Sequence, residues 1–320
     1  MTTSVTFGPF ELVETIGEGG MGVVYRARHR QAGTPAAIKV LTADYAARDR
    51  YRRAFRREAQ ALAKLNHHGI AAILDFGTLS ESIAPPDRAP WQPKTPWLAM
   101  EFVDGQTLSE SVGPWKWPEV EDFLLGLLDA LAHAHANDVI HRDLKPSNML
   151  IVDGEPGREI AVKLLDFGIA DLGDEGDETD AEGRVRGTPK YMAPEQVLGQ
   201  RRDQGPWTDL YAVGCLLWRL LCRRAPFAGD TTRETLQRHL ANRPSPFDPV
   251  IEVPDGLHDW LRRMLVKDPN RRFRRAADAA WSLVRLAPPS HGSSPRLATT
   301  GTLAPLEPEA LPDPTPTTAS

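Results

Sequence analysis

The chain has 320 residues, 41% of them apolar and 25% charged, the ordinary balance of a protein with a core to bury. Its 38 basic and 43 acidic side chains leave a net charge of −5, which excludes a protein built around nucleic acid or an anionic membrane surface. Arginine far outnumbers lysine, a skew we read as codon usage in a GC-rich genome. The two cysteines, Cys215 and Cys222, share one apolar stretch. A disulfide framework and a cysteine-held metal are therefore excluded, and both residues read as core positions on one helix. The N-terminus has no basic segment followed by an apolar one, so no secretory signal is expected. The longest near-apolar run, Ala212 to Leu221 broken by Arg219, falls far short of the ~20 residues that span a bilayer. A cytoplasmic protein with no membrane span is expected.

In chain order, Phe10 to Ile16, Val23 to Ala27 and Ala36 to Leu41 read as strands separated by glycine-rich turns, the pattern of an antiparallel meander. Ala46 to Leu65 places apolar residues at helical spacing among Arg, Ala and Glu and predicts one helix. Ile70 to Phe76 and Trp97 to Phe102 predict two further strands. Between them, the Pro-rich stretch Ser80 to Pro96, with Trp91, reads as a floppy insertion in preference to a docking surface. From Trp117 the pattern turns mostly helical, with helices predicted over 120–136, 208–222, 232–241, 257–266 and 276–286. Pro288 to Ser320 is rich in Pro, Ser and Thr and poor in large apolar side chains, which predicts a disordered tail over 287–320. The expected fold class is α+β, with a small β-rich half before a larger, mainly helical one. The cleft between two such lobes is a natural place for a ligand.

Gly17-Glu18-Gly19-Gly20-Met21-Gly22 fits G-x-G-x-x-G between two strands. Glycines there let backbone N–H groups approach phosphates, and the absence of a following helix argues against a dinucleotide-binding turn. Lys39, on the strand beside that turn, can neutralise phosphates if it points into the cleft. Glu58, mid-helix, is a candidate partner for it, since a buried ammonium is costly without a carboxylate. His141-Arg-Asp-Leu-Lys-Pro-Ser-Asn148 is dense in polar groups, and Asp166-Phe167-Gly168 follows at a strand end. Asn148 and Asp166 offer oxygen ligands that suit Mg²⁺. Gly187 to Glu195 is a rigid turn punctuated by proline.

Glycine loop, strand lysine, helix glutamate, H-R-D-x-x-x-x-N, D-F-G and A-P-E in this order resemble the protein kinase signature, most closely that of the bacterial eukaryotic-like (Hanks-type) serine/threonine protein kinases. The resemblance covers residues 10–286. It implies a bilobal kinase fold, with an N-lobe at 10–102 carrying one regulatory helix, a hinge at 101–105 and a C-lobe at 106–286. It also implies roles. Asp143 would orient the substrate hydroxyl and accept its proton, Lys145 would hold the γ-phosphate, and Asn148 and Asp166 would hold Mg²⁺. Lys39, paired with Glu58, would hold the α- and β-phosphates. Ile16, Val23, Val24, Ala37 and Leu150 join the glycine loop in the ATP site. Met100 falls at the gatekeeper position, and backbone groups near Glu101 and Val103 would bind adenine. Leu62, Ile73, His141 and Phe167 would stack as a spine anchored by Asp209, and Glu195 would pair with Arg272 as a structural tie.

The resemblance implies ATP and protein substrates with Ser/Thr acceptors, and similar kinases form homodimers for trans-autophosphorylation. Between Asp171 and Glu182 seven acidic residues surround Thr179. Autophosphorylation of Thr179, read by Arg142 and Arg57, is one expectation. The competing one is that the acidic run substitutes for phosphate. Six arginines between Arg48 and Arg57 read as a solvated helix face and not as a nucleic-acid patch. Many receptor kinases of this kind carry a membrane helix and a sensor after the kinase domain. Their absence here fits either a soluble kinase fed by a partner or a module of a longer protein. A nucleotide-binding pseudokinase or scaffold is the alternative reading, weakened by the presence of Lys39, Asp143 and Asp166. A small-molecule kinase is a third, disfavoured by the A-P-E turn.

Overall fold

The structure is a computed structural model, and it describes residues 5–19, 22–80, 89, 91–111, 115–154, 160–167 and 189–288. Its first half is a six-stranded antiparallel sheet: β1 (Thr6–Phe7), β2 (Phe10–Gly19), β3 (Gly22–His29), β4 (Pro35–Leu41), β5 (Ile73–Thr78) and β6 (Pro96–Glu101), in the order β1-β2-β3-β4-β6-β5. Two helices, α1 (Ala43–Ala46) and α2 (Asp49–Leu62), connect β4 to β5. The second half holds α3 (Trp117–Ala136) and a small sheet of β7 (Gln106–Thr107), β8 (Met149–Asp153) and β9 (Ile160–Leu164). After these come α4 (Pro194–Val197), α5 (Pro206–Cys222), α6 (Thr232–Ala241), α7 (Leu257–Met264) and α8 (Ala276–Leu283). No helix among the described residues is long and apolar enough to cross a membrane.

The helices of the larger lobe start where the sequence supplies caps. At α3, Pro118 sits in the first turn and the Lys116 N–H donates to Glu119 Oε2 at 3.0 Å. At α5, Pro206 opens the helix and the Gly205 N–H donates to Thr208 Oγ1 at 3.0 Å. Each device satisfies one of the donors a helix start leaves unpaired. α5 is buried on every side, from Thr208 to Cys222, and both cysteines lie in this interior. Each fully buried Leu there contributes about 1.5–3 kcal/mol relative to exposure.

Three expectations need correction. The helix expected over 46–65 is α2, shorter at both ends, and a separate short helix α1 precedes it: Arg48 between them is extended at φ −100°, ψ 116°, and Tyr45 packs edge-on against Tyr51 at 5.1 Å. The acidic Asp49 then opens α2, where the helix dipole favours negative charge. Next, β5 begins at Ile73 and not Ile70. Ile70 instead bridges to Leu164, with Leu164 N–H donating to Gly69 O at 2.8 Å and Ala71 N–H to Leu164 O at 3.0 Å. That short stretch stitches the small lobe to the large one. Finally, the stretch Ser80 to Pro96 is not floppy at its described end. Trp91 is buried, meets Phe7 edge-on at 5.2 Å and donates its Nε1–H to Tyr25 Oη at 3.2 Å. Residues 81–88 and 90 lie outside the described residues, as do 289–320 of the tail expected over 287–320, whose first residue, Ala287, bridges to Asp255.

Candidate active site

The cleft between the lobes collects side chains from both sheets. β3 and β4 pair Val24 with Lys39, and β4 and β6 pair Ala37 with Met100. Period-two alternation therefore puts Lys39 and Ala37 on one face of β4. Gly17 pairs with Val24 where β2 turns toward β3. Glycine is required at position 22, because a Cβ there would stand 2.6 Å from Val40 O. Ile16 and Glu18 are exposed, Val23 is buried, and Gly20 and Met21 lie outside the described residues.

Lys39 Nζ lies 3.0 Å from Asp166 Oδ1, both side chains being about a fifth to a quarter exposed (18% and 28%). The ion pair the structure gives Lys39 is thus with the carboxylate that follows β9. Glu58 sits half-buried on α2. Asp166 adopts a left-handed φ of 43° and Arg142 one of 63°, conformations that cost an ordinary residue about 1–2 kcal/mol. Surrounding hydrogen bonds enforce the second: the N–H groups of His141 and Arg142 each donate to Asp209 at 2.8 Å.

Between these two strained residues lies the polar loop. Asp143 Oδ2 pairs with Lys145 Nζ at 2.9 Å. Asn148 Nδ2 donates to the Asp143 carbonyl at 2.9 Å, which fixes the loop's curvature and turns the amide oxygen away from that bond. His141 is fully buried and stacks on Phe167 at 4.6 Å. Burial pushes its imidazole pKa down, so it is neutral, and it donates Nε2–H to Leu165 O at 3.0 Å. Below it, burial alone would raise the Asp209 carboxyl. The hydrogen bond and charge of His135, 2.8 Å away, bring it below its ordinary value instead. A fixed anion thus holds two consecutive backbone N–H groups at the start of the polar loop.

An apolar chamber opens behind this polar front, lined by Leu62, Ile73, Met100 and Phe167 among others. Leu150 is buried beneath the cleft, on the strand β8 that pairs with β7. At the hinge, the Glu101 N–H donates to Ala72 O at 2.8 Å. The Glu101 carboxylate meets Lys163 and accepts from Ala72 N–H, which ties the end of β6 to β9. Val103 follows in irregular backbone.

Under the cleft, Glu195 and Arg272 form a bidentate pair at 2.8 and 2.9 Å, both side chains at most 2% exposed. Thr208 Oγ1 donates to Glu195, and Arg272 also donates to the carbonyls of Val266, Lys267 and Trp207. A buried ion pair with every remaining valence used is the arrangement such a pair needs to be tolerated. The Gln196 side chain donates to Arg142 O at 2.8 Å, so the turn at 193–196 touches the catalytic loop. Sequence reasoning did not single out Lys163, His135, Thr208 or Gln196. Only Thr208 had a local signal, its place three residues after the glycine that precedes α5. Thr179, the acidic run from Asp171 to Glu182, Gly168 and Thr188 lie outside the described residues.

Asp166 fits a divalent cation on an observation of its own. Its buried Oδ1 has the Lys39 ammonium, 3.0 Å away, as its partner, a cation that another cation can replace. A hard cation with oxygen ligands satisfies such an atom.

Comparison with known proteins is consistent with this geometry. The protein kinase domain family model matches residues 10–281. A Streptomyces coelicolor protein named probable serine/threonine-protein kinase is 37% identical over 277 residues, covering 84% of this chain and 38% of its own length. Serine/threonine-protein kinase PknB of Mycobacterium tuberculosis is 33% identical over 302 residues, covering 91% of this chain and 45% of its own length. The PknB of Mycolicibacterium smegmatis is 34% identical over 295 residues, with 91% and 45% covered. The chain spans less than half the length of these relatives.

Proposed function

The chain belongs to the protein kinase family, with a domain of the bacterial serine/threonine type, and from that premise we propose that it transfers the γ-phosphate of ATP to Ser/Thr hydroxyls of protein substrates. The observation that carries this reading is the pair of ionic contacts facing one cleft, Lys39–Asp166 and Lys145–Asp143. Each is a partly exposed cation–carboxylate pair that a triphosphate can enter and separate.

Phosphoryl transfer needs positioning and charge neutralisation more than covalent chemistry. Lys39 neutralises the α- and β-phosphates, with Glu58 as the carboxylate that receives it when Asp166 is otherwise engaged. Lys145 meets the γ-phosphate. Asp143 accepts the hydrogen bond of the acceptor hydroxyl and takes its proton as the new P–O bond forms. Ala37, Val24 and Leu150 enclose the purine, and the carbonyl of Glu101 with the backbone at Val103 supply its polar contacts. Asn148 and Asp166 would hold Mg²⁺, which when bound neutralises phosphate charge. Autophosphorylation at Thr179, homodimerisation in trans and a cytoplasmic location belong to the same reading.

The test is incubation of the full chain with Mg·ATP and mixed Ser-, Thr- and Tyr-acceptor peptides, followed by phosphosite mapping. Phosphate on Ser and Thr, absent with Lys39→Met, is expected. ATP binding with no transfer to any hydroxyl would favour a nucleotide-binding scaffold.

A further inference from the structure

The loop between α2 and β5 carries two consecutive histidines, His67 and His68, and it packs on α3 opposite Asp129 and His133. Four facts define this cluster. His67 Nε2 lies 3.1 Å from Asp129 Oδ2. The His67 ring stacks on His68 at 4.3 Å and lies against His133 at 5.1 Å. The Gly69 N–H donates to His67 Nδ1 at 3.0 Å, and the Asn66 N–H donates to His133 Nε2 at 3.2 Å. One nitrogen of His67, one of His68 and one oxygen of Asp129 all lie within 4.8 Å of one another.

These contacts settle which atoms are available. With Nδ1 accepting from Gly69, His67 keeps its proton on Nε2 and directs that nitrogen at the carboxylate. A metal ion can replace that proton without disturbing the loop. His133 has one nitrogen committed to the backbone of Asn66, so it supports the His67 ring and leaves ligation to the other three.

We infer that His67, His68 and Asp129 form a transition-metal site, suited first to Zn²⁺, at the seam between the two lobes. Two imidazoles and one carboxylate with an open fourth position are a donor set that Zn²⁺ takes. Ligand atoms around a tetrahedral Zn²⁺ stand about 3.3 Å apart, given bonds of about 2.0–2.1 Å. The set must therefore close by roughly 1.5 Å at its widest. His68 is exposed, and the Asp129 side chain is 59% exposed, so both are free to change rotamer. His67, at 12%, stays as the fixed point. A bound ion would clasp the loop after α2 to α3, beside the backbone bonds between Gly69, Ala71 and Leu164. No step of phosphoryl transfer uses these residues, so the site stands or falls independently of the catalytic reading.

The test titrates Zn²⁺ alone into the full chain by calorimetry, and repeats it with Co²⁺ followed by visible absorption. Wild type, His68→Gln, Asp129→Asn and Asp166→Asn are compared, the first two variants being at exposed positions where folding is undisturbed. One equivalent is expected in wild type and Asp166→Asn. It should weaken by at least about 100-fold in His68→Gln and in Asp129→Asn, since even outer-shell losses cost 10–100-fold. Equal affinity in all four proteins, no equivalent in wild type, or its loss only in Asp166→Asn would each overturn the proposal.

Discussion

Two ionic arrangements in this protein use the same chemistry for opposite ends. Glu195–Arg272 is sealed, at most 2% exposed, and all five guanidinium N–H groups have acceptors. Lys39–Asp166 and Lys145–Asp143 are open, between 18% and 28% exposed. The sealed pair cannot exchange partners, because each charge would be stranded in a medium that does not solvate it. The open pairs can, because water and phosphate both reach them. The molecule thus keeps its fixed charges below the cleft and its exchangeable charges inside it. Asp209 belongs with the first kind. It holds the catalytic loop by two backbone N–H groups without facing substrate.

The sharpest way to break this contrast is to remove one charge from each kind. Arg272→Ala or Glu195→Ala should destabilise the fold by about 3–5 kcal/mol, because the surviving charge is buried alone. Denaturant unfolding measures it, and the apolar double variant Glu195→Leu/Arg272→Met should recover most of the loss. Lys39→Met should do the reverse. It should cost about 1 kcal/mol of stability or less but lower phosphoryl transfer by roughly 10²–10³, the usual effect of losing one charge-stabilising donor. If the unfolding free energies of the two variants matched, the distinction between sealed and open pairs would be wrong.

Acid exposes the buried interior in another way. His239 is buried against Tyr211 Oη at 3.0 Å, and burial pushes its pKa down to about 3 from 6.5. Between those values the unfolded chain binds the proton and the folded chain does not. Stability therefore rises with pH across that window and is lost as pH falls from about 6.5 toward 3. Unfolding free energies of His239→Gln, measured across the same range, should show a shallower slope than wild type. The smallest effect belongs to the surface. Arg26–Glu14, with side chains 46% and 55% exposed, should contribute under about 1 kcal/mol in a double-mutant cycle, and less as salt is added.

The sequence made legible what is repeated along the chain or punctuated by special residues. Amphipathic runs located β2 to β4, α3 and α5 to α8 to within a few residues, whereas the short α4 reads as part of a turn. Glycine, His-Arg-Asp and Asp-Phe-Gly spacing located the cleft. What it hid depends on contacts distant in the chain. The separation of α1 from α2 at Arg48 is accompanied by two tyrosines packing across it, and no glycine or proline announces it. β1 and β7 are two residues long, too short for alternation to register. Trp91 reads as part of a Pro-rich loop until Phe7 and Tyr25, far away in sequence, are placed beside it. The partner of Lys39 is a matter of conformation: Glu58 and Asp166 are both within the grammar of the motif, and only coordinates say which one it meets.

The proposed role of Asp143, taking the acceptor proton, is tested most directly by steady-state transfer in Asp143→Asn. A fall in kcat of roughly 10²–10⁴, the range for losing a positioned general base, with ATP affinity unchanged, is the expected result. Transfer to Ser and Thr at the wild-type rate in that variant would contradict the assignment of this cleft as the catalytic centre.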